Sequence, residues 1–306
     1  MYPVAVFRQR PLANLLLLVF LSDAVALASD PTQLQPALAA AMAKHPGTAI
    51  VLDVSSGKVL ASHRLDIAAR RVASPGSTIK PFTLLALLHS GHLNPNAQLL
   101  CQRKVLLAGH RMDCTHPNTP IPLNSAEALA YSCNSYFSSS ASHLTGDDLR
   151  KEFERVGLTS TTGLASQEAT GRMGRTTDLE HLQLQALGAE GIEVTPLELA
   201  SAYRRLAQAR KTSHEAALDV VYTGLEASTD YGMAHAAQPP SQKVAGKTGT
   251  AGSESSALTH GWFAGYAPAA DPQIVLVVYL EHGRGIDAAA IARQIFTSYF
   301  ESENRH

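Results

Sequence analysis

A chain of 306 residues that is 45% hydrophobic and 17% charged has enough apolar side chain for one large domain or two small ones, and its totals do not suit a disordered protein. Twenty-five Lys and Arg against 26 Asp and Glu leave a formal charge of -1. That balance offers no bulk attraction to a nucleic-acid backbone, so no nucleic-acid partner is expected.

In chain order, the first 28 residues read as a secretory signal. Arg8 and Arg10 supply positive charge, Leu12 to Leu21 is an apolar core, and Ala26-Leu27-Ala28 is a small-x-small cleavage site. An apolar run of about ten residues is too short to span a bilayer. The expectation is cleavage, no stable membrane anchor, a periplasmic or secreted location in a bacterium, and a single domain over 29–306. Pro31 to Lys44 has helical spacing, and Pro46-Gly47 ends it. Ala49 to Val54 and Val59 to Ser62 then read as a hairpin too continuously apolar for one wet face. Phe82 to Leu88 predicts a helix buried on nearly all sides, stopped near Gly91, with Pro81 tolerated only in its first turn. Shorter helices are predicted from Ala126, near Asn134, over 147–156, over 179–187, from Pro196 and near 216–225. Gly163 to Arg175 reads as an exposed loop. Val244 to Thr250, Trp262 to Ala267 and Ile274 to Leu280 predict three sequential antiparallel strands, and Asp287 to Phe300 a closing helix. Strands from both ends with helices between them imply one sheet packed against a helical region, an α+β class.

The cysteines are Cys101, Cys114 and Cys133. In an oxidising compartment Cys101 and Cys114, which flank a strand-and-turn excursion, could close a disulfide; two unpaired thiols are the other reading, and Cys133 is left over and buried. His110 and His116 lie near them, but the spacing matches no ordinary four-ligand zinc framework. No metal and no cofactor is expected.

Ser77 and Lys80 stand three residues apart where the buried helix begins, placing a hydroxyl and an amine on one face. A serine becomes a nucleophile when a neighbour accepts its proton, and lysine can do so when its pKa is lowered. Ser132 and Asn134 add a hydroxyl and an amide two residues apart at a predicted helix start. On the strand Lys247-Thr248-Gly249-Thr250, Lys247 and Gly249 share one face and Thr248 and Thr250 the other, with Gly249 leaving room for another backbone. Taken singly, each segment reads as a cap, a turn or a solvated lysine. In the order Ser-x-x-Lys, Ser-x-Asn, Lys-Thr-Gly they point to a shared site.

With these motifs the sequence resembles the penicillin-recognising serine enzymes, and among them the transpeptidase domain of high-molecular-mass penicillin-binding proteins. Segments around Pro75-Gly76-Ser77, Tyr131-Ser132-Cys133-Asn134, Gly191-Ile192-Glu193-Val194-Thr195-Pro196 and Trp262-Phe263-Ala264-Gly265-Tyr266 carry the similarity from about Gly47 to Phe300. The resemblance implies a five-stranded antiparallel sheet with a helical subdomain, in a β-lactamase/transpeptidase-like fold. It also implies acylation by peptidoglycan stem peptides or by β-lactams. Ser77 would be the nucleophile and Lys80 its base, with the lysine's proton affinity lowered by Lys247. Ser132 would relay a proton to the leaving amine, and Asn134 would hold Lys80. Lys247, Thr248 and Thr250 would bind the substrate carboxylate, and the backbone N–H groups of Ser77 and Thr250 would form the oxyanion hole. A secreted β-lactamase is the alternative reading, although the class D pattern usually has Ser-x-Val where this chain has Ser132-Cys133-Asn134. Glu168 and Glu180 lie in the region where class A enzymes carry a deacylating glutamate, but neither has a recognisable setting for that role. A non-hydrolytic β-lactam-binding or scaffold module, recruited by a cell-envelope partner, is the third.

Overall fold

The computed structural model describes residues 31–176, 178–252 and 259–303. The signal segment read over residues 1–28 lies outside them. In chain order the elements are α1 (Pro31–Met42), β1 (Gly47–Asp53), β2 (Val59–His63), α2 (Leu65–Arg70), a 3-10 turn (Gly76–Ile79) and α3 (Lys80–His89). A small hairpin follows, β3 (Leu106–Leu107) and β4 (His110–Arg111), then α4 (Ser125–Ala130), α5 (Asn134–Ala141) and α6 (Gly146–Arg155). The chain continues through β5 (Arg172–Met173), α7 (Leu179–Ala186), β6 (Ile192–Glu193), α8 (Pro196–Thr212) and α9 (Ala216–Asp230). It ends with β7 (Ala245–Ala251), β8 (His260–Ala267), β9 (Ile274–Leu280) and α10 (Gly285–Glu303).

The principal sheet has five strands in the order β2-β1-β9-β8-β7, all antiparallel. Strand β1 pairs with β9, Ala49 opposite Val278 and Val51 opposite Leu276, so the two ends of the chain meet in the middle of the sheet. The continuous apolar strands follow from burial on both faces. Along β9, Val275, Val277 and Tyr279 point into a core shared with α3, α8 and α9, while Leu276, Val278 and Leu280 point into a second core built with α1 and α10.

Local signals place the helices. Thr195 caps α8 in a reciprocal box with Glu198, with Pro196 in the first turn. Asn124 and Glu127 do the same for α4. Helix α3 is buried from Lys80 to Leu87, matching its uniformly apolar composition. Two segments without a strong sequence pattern gained structure: Leu65–Arg70 forms α2, and Arg172–Met173 pairs with Ile192–Glu193 inside the predicted loop. Both are fixed by tertiary neighbours that no local periodicity encodes. Among the described residues no helix is long and apolar enough to cross a membrane.

Candidate active site

Three segments far apart in sequence converge at the start of α3. The first is the 3-10 turn carrying Ser77. It is held from several sides: the Gly76 N–H donates to Gly188 O at 2.9 Å, the Tyr203 hydroxyl donates to Thr78 O at 2.8 Å, and Trp262 Nε1–H donates to Ser74 O at 3.1 Å. Gly76 has φ 54°, and a Cβ there would sit 2.7 Å from Thr250 O. Glycine is therefore required both for the left-handed backbone and for the close approach of β7.

Strand β7 is an edge strand and lies against this turn. A Cβ at Gly249 would stand 2.6 Å from Pro75 O and 3.1 Å from Thr78 N. The backbone that uses the space left by Gly249 is thus the Ser77 turn itself. On the other strand face, Thr248 Oγ1 donates to Met233 O at 3.3 Å and Thr250 Oγ1 accepts from Gly285 N at 3.0 Å, anchoring β7 to the loop after α9 and to the start of α10. The side chain of Thr250 remains exposed.

The third segment joins α4 to α5. Ser132 adopts φ 54°, a conformation that costs a non-glycine residue on the order of 1 kcal/mol or more and needs support from its surroundings. The support is visible in the bonds it makes. Lys80 Nζ donates to Ser132 O at 2.8 Å, to Asn134 Oδ1 at 2.5 Å and to Ser132 Oγ at 3.4 Å. The same ammonium lies 5.2 Å from the centre of the Phe137 ring. Asn134 Nδ2 in turn donates to Met112 O at 2.9 Å, tying the motif to the loop that follows β4.

Both lysines are buried. Burial lowers Lys80 to about 8, with the sulfurs of Cys133 and Cys114 acting in the opposite direction. Lys247 is held well below its ordinary value, first by burial and then by the charge on Lys80. This corrects the expected origin of the Lys80 shift: desolvation is its leading cause, and the like-charge effect is felt at Lys247. Lys247 Nζ donates to Thr248 O at 3.0 Å.

The expected Cys101–Cys114 disulfide does not form. All three cysteines are free thiols, and the pair in contact is Cys114 with Cys133, Sγ to Sγ 3.8 Å. Loop spacing suggested the first pairing, whereas the fold turns Cys114 inward toward the N-terminus of α5, where Cys133 sits. Glu168 is likewise no free carboxylate. It accepts from Thr162 Oγ1 at 3.0 Å and Ala165 N at 2.9 Å, which makes it a staple of its own loop. Glu180 Oε2 accepts from Ala108 N at 2.6 Å, on the β3–β4 turn. Residues that the sequence reading did not single out also shape the site. Gly188, Tyr203 and Trp262 hold the Ser77 turn; Trp262 entered the sequence reading only as the start of a strand and of a family segment, and the roles of Gly188 and Tyr203 come from the fold.

Comparison with known proteins places the chain in a family. Residues 47–298 match the model of the penicillin binding protein transpeptidase domain. The chain is 26% identical over 294 residues to the peptidoglycan D,D-transpeptidase MrdA of Acinetobacter baumannii, covering 75% of this chain and 42% of that protein. It is 27% identical over 245 residues to the peptidoglycan D,D-transpeptidase PbpA of Mycolicibacterium smegmatis, covering 68% of this chain and 50% of that one. The chain thus spans half the length or less of these curated relatives. Its fold is similar to that of the D,D-transpeptidase domain of a peptidoglycan glycosyltransferase from Eggerthella lenta, with TM-score 0.78 and 21% identity over 90% of this chain and 82% of the other. It is also similar to Pseudomonas aeruginosa PBP2, crystallised in complex with WCK 5153, with TM-score 0.76 and 22% identity over 89% of this chain and 77% of that one. The family match over most of the chain makes this chain a member of the penicillin binding protein transpeptidase domain family.

Proposed function

We propose that the chain is a serine D,D-transpeptidase or D,D-carboxypeptidase that acts on D-Ala-D-Ala stem peptides of peptidoglycan through an acyl-enzyme, and that β-lactams acylate the same serine. The observation that carries the proposal is the placement of Lys80: buried, lowered to about 8, bonded to Ser132 and Asn134, and three residues after Ser77. A lysine with that value is about one-tenth neutral at pH 7, enough to serve as a base.

In the proposed reaction neutral Lys80 takes the Ser77 proton as Oγ attacks the penultimate D-Ala carbonyl. The negative oxygen that develops is received by the backbone N–H groups of Ser77 and Thr250, and losing one such donor costs about 3 kcal/mol. The contact between Gly76 and the Thr250 backbone supports this pairing, because the two chains already touch there. Ser132 passes the proton from Lys80 to the leaving D-Ala amine, and the C–N bond breaks. An incoming amine then yields a cross-link, or water yields a trimmed stem peptide, and Ser77 recovers its proton. Lys247, Thr248 and Thr250 bind the substrate carboxylate in this scheme. A bacterial periplasmic or secreted location belongs to the same proposal and rests on the sequence of residues 1–28.

The test is covalent labelling with a fluorescent penicillin. The expected result is a long-lived adduct on the native chain and none on Ser77→Ala. Rapid drug turnover would instead assign a β-lactamase, and binding without an adduct would assign a scaffold. Mass spectrometry of a synthetic pentapeptide incubated with a D-amino acid distinguishes amine transfer from hydrolysis.

A further inference from the structure

We propose that Cys101, Cys114, His116 and Cys133 form a tetrahedral zinc site that fastens the loop between Cys101 and His116 to the Ser132-x-Asn134 motif. Their donor atoms all lie within 4.8 Å of one another, and Cys114, His116 and Cys133 are buried. Zinc bonds of about 2.3 Å to sulfur and about 2.0–2.1 Å to nitrogen place tetrahedral S···S edges near 3.8 Å and S···N edges near 3.6 Å. The Cys114 and Cys133 sulfurs are 3.8 Å apart, and Cys101 Sγ is 3.5 Å from His116 Nε2. A disulfide would need about 2.05 Å.

The surroundings suit thiolate and imidazole ligands. Each sulfur faces a backbone N–H: Arg103 N to Cys101 Sγ at 3.3 Å, Ser135 N to Cys114 Sγ at 3.3 Å, and Tyr136 N to Cys133 Sγ at 3.4 Å. These donors favour the charged form of sulfur. Pro117 O lies 2.8 Å from His116 Nδ1, so the proton belongs on Nδ1 and the Nε2 lone pair is free to face the sulfurs. Three thiolates around a divalent ion leave a net single negative charge. Arg103 spans that side, donating to His116 O at 2.9 Å and Cys114 O at 3.1 Å. The sequence spacing resembles no common framework because the ligands come from the start of the loop, its end and the N-terminus of α5, which only the fold brings together.

The position gives the metal a consequence for the catalytic motif. Cys133 lies between Ser132 and Asn134, Asn134 Nδ2 donates to Met112 O, and Ser135 Oγ accepts from Gln102 N at 3.0 Å. A metal joining Cys133 to Cys101, Cys114 and His116 therefore fixes the loop carrying Met112 against the residues that hold Lys80. This positioning role rests on the acyl-transfer reading above; the existence of the site does not.

The full chain, expressed without a polyhistidine tag and dialysed, would be analysed by mass spectrometry for bound zinc. The expected result is one zinc per chain in native protein and in Ser77→Ala, with the thiols protected from a thiol reagent until a chelator is added. Replacing zinc by cobalt should give intense visible bands and a thiolate-to-metal charge-transfer band. Cys101→Ser and His116→Ala, at the loop ends, should lose zinc at least tenfold while keeping the native circular dichroism. Zinc no higher than in a variant lacking all three cysteines, or a Cys114–Cys133 disulfide in native protein, would overturn the site. Because Ser77→Ala keeps the ligands, failure to label with penicillin and failure to bind zinc are separable. Chelation should slow penicillin acylation at least tenfold with secondary structure retained; an unchanged rate would overturn the positioning role.

Discussion

At the scale of single residues the proposed chemistry turns on Lys80. It is an ammonium placed in a dry setting, so its lowered value of about 8 reflects the cost of carrying charge there. If neutral Lys80 is the base, acylation rises about tenfold per pH unit below 8 and levels off above it. Stopped-flow labelling between pH 6 and 9 checks this; a rate that falls as pH rises through this range would contradict it. The same shift has a sign for stability. The unfolded chain holds the Lys80 proton up to its ordinary value of 10.5, so the folded state gains relative stability as pH rises from about 8 toward 10.5 and loses it again as pH falls. Asn134 positions this lysine through a 2.5 Å bond. Asn134→Ala is expected to reduce the acylation rate about a hundredfold, because small misplacements of reacting groups are that costly. Stability should change much less, and comparing labelling rates with thermal melts separates the two effects.

At the scale of elements, the 3-10 turn is wedged between β7 and the break after α7. Gly249 leaves no spare room in that wedge, since a methyl group there would meet Pro75 O, a backbone atom, at 2.6 Å. Gly249→Ala should therefore displace the Ser77 turn, costing about 1–3 kcal/mol in denaturant unfolding and most of the labelling rate. The capping box of α8 gives a milder contrast. Thr195→Ala removes the bond accepted from Glu198 N at 3.1 Å and should cost about 1 kcal/mol, with Ser77 still able to react. A loss of labelling equal to that of Gly249→Ala would show that α8 is coupled to the turn more tightly than its contacts indicate.

For the whole molecule, the sheet divides two cores with different duties. The face toward α3, α8 and α9 carries the site, and the face toward α1 and α10 closes the chain on itself. Phe296 packs edge-on against Phe263 with ring centroids 6.0 Å apart in the second core. Phe296→Ala should destabilise the fold by about 3–5 kcal/mol, measured by denaturant titration. The surviving folded fraction should label with penicillin at the native rate, since the sheet stands between this cavity and Ser77.

Much of this was legible in the sequence because the signals were local. The helix starts near Ala126 and Pro196, the uniformly apolar run from Phe82 to Leu88 and the three C-terminal strand patterns depend on neighbours within a few residues. The candidate set from Ser77 to Thr250 was named from its motif order, a pattern of residue types that needs no coordinates. Which thiols meet, which backbone fills the space at Gly249 and why Lys80 is shifted were decided only by tertiary structure. Each depends on segments separated by long stretches of chain, and on the exclusion of water where they close together. Thus Ser77 and Lys80 could be named from the sequence, while the dry pocket that lowers Lys80, and the cluster that gathers Cys101, Cys114, His116 and Cys133, exist only once the chain has folded.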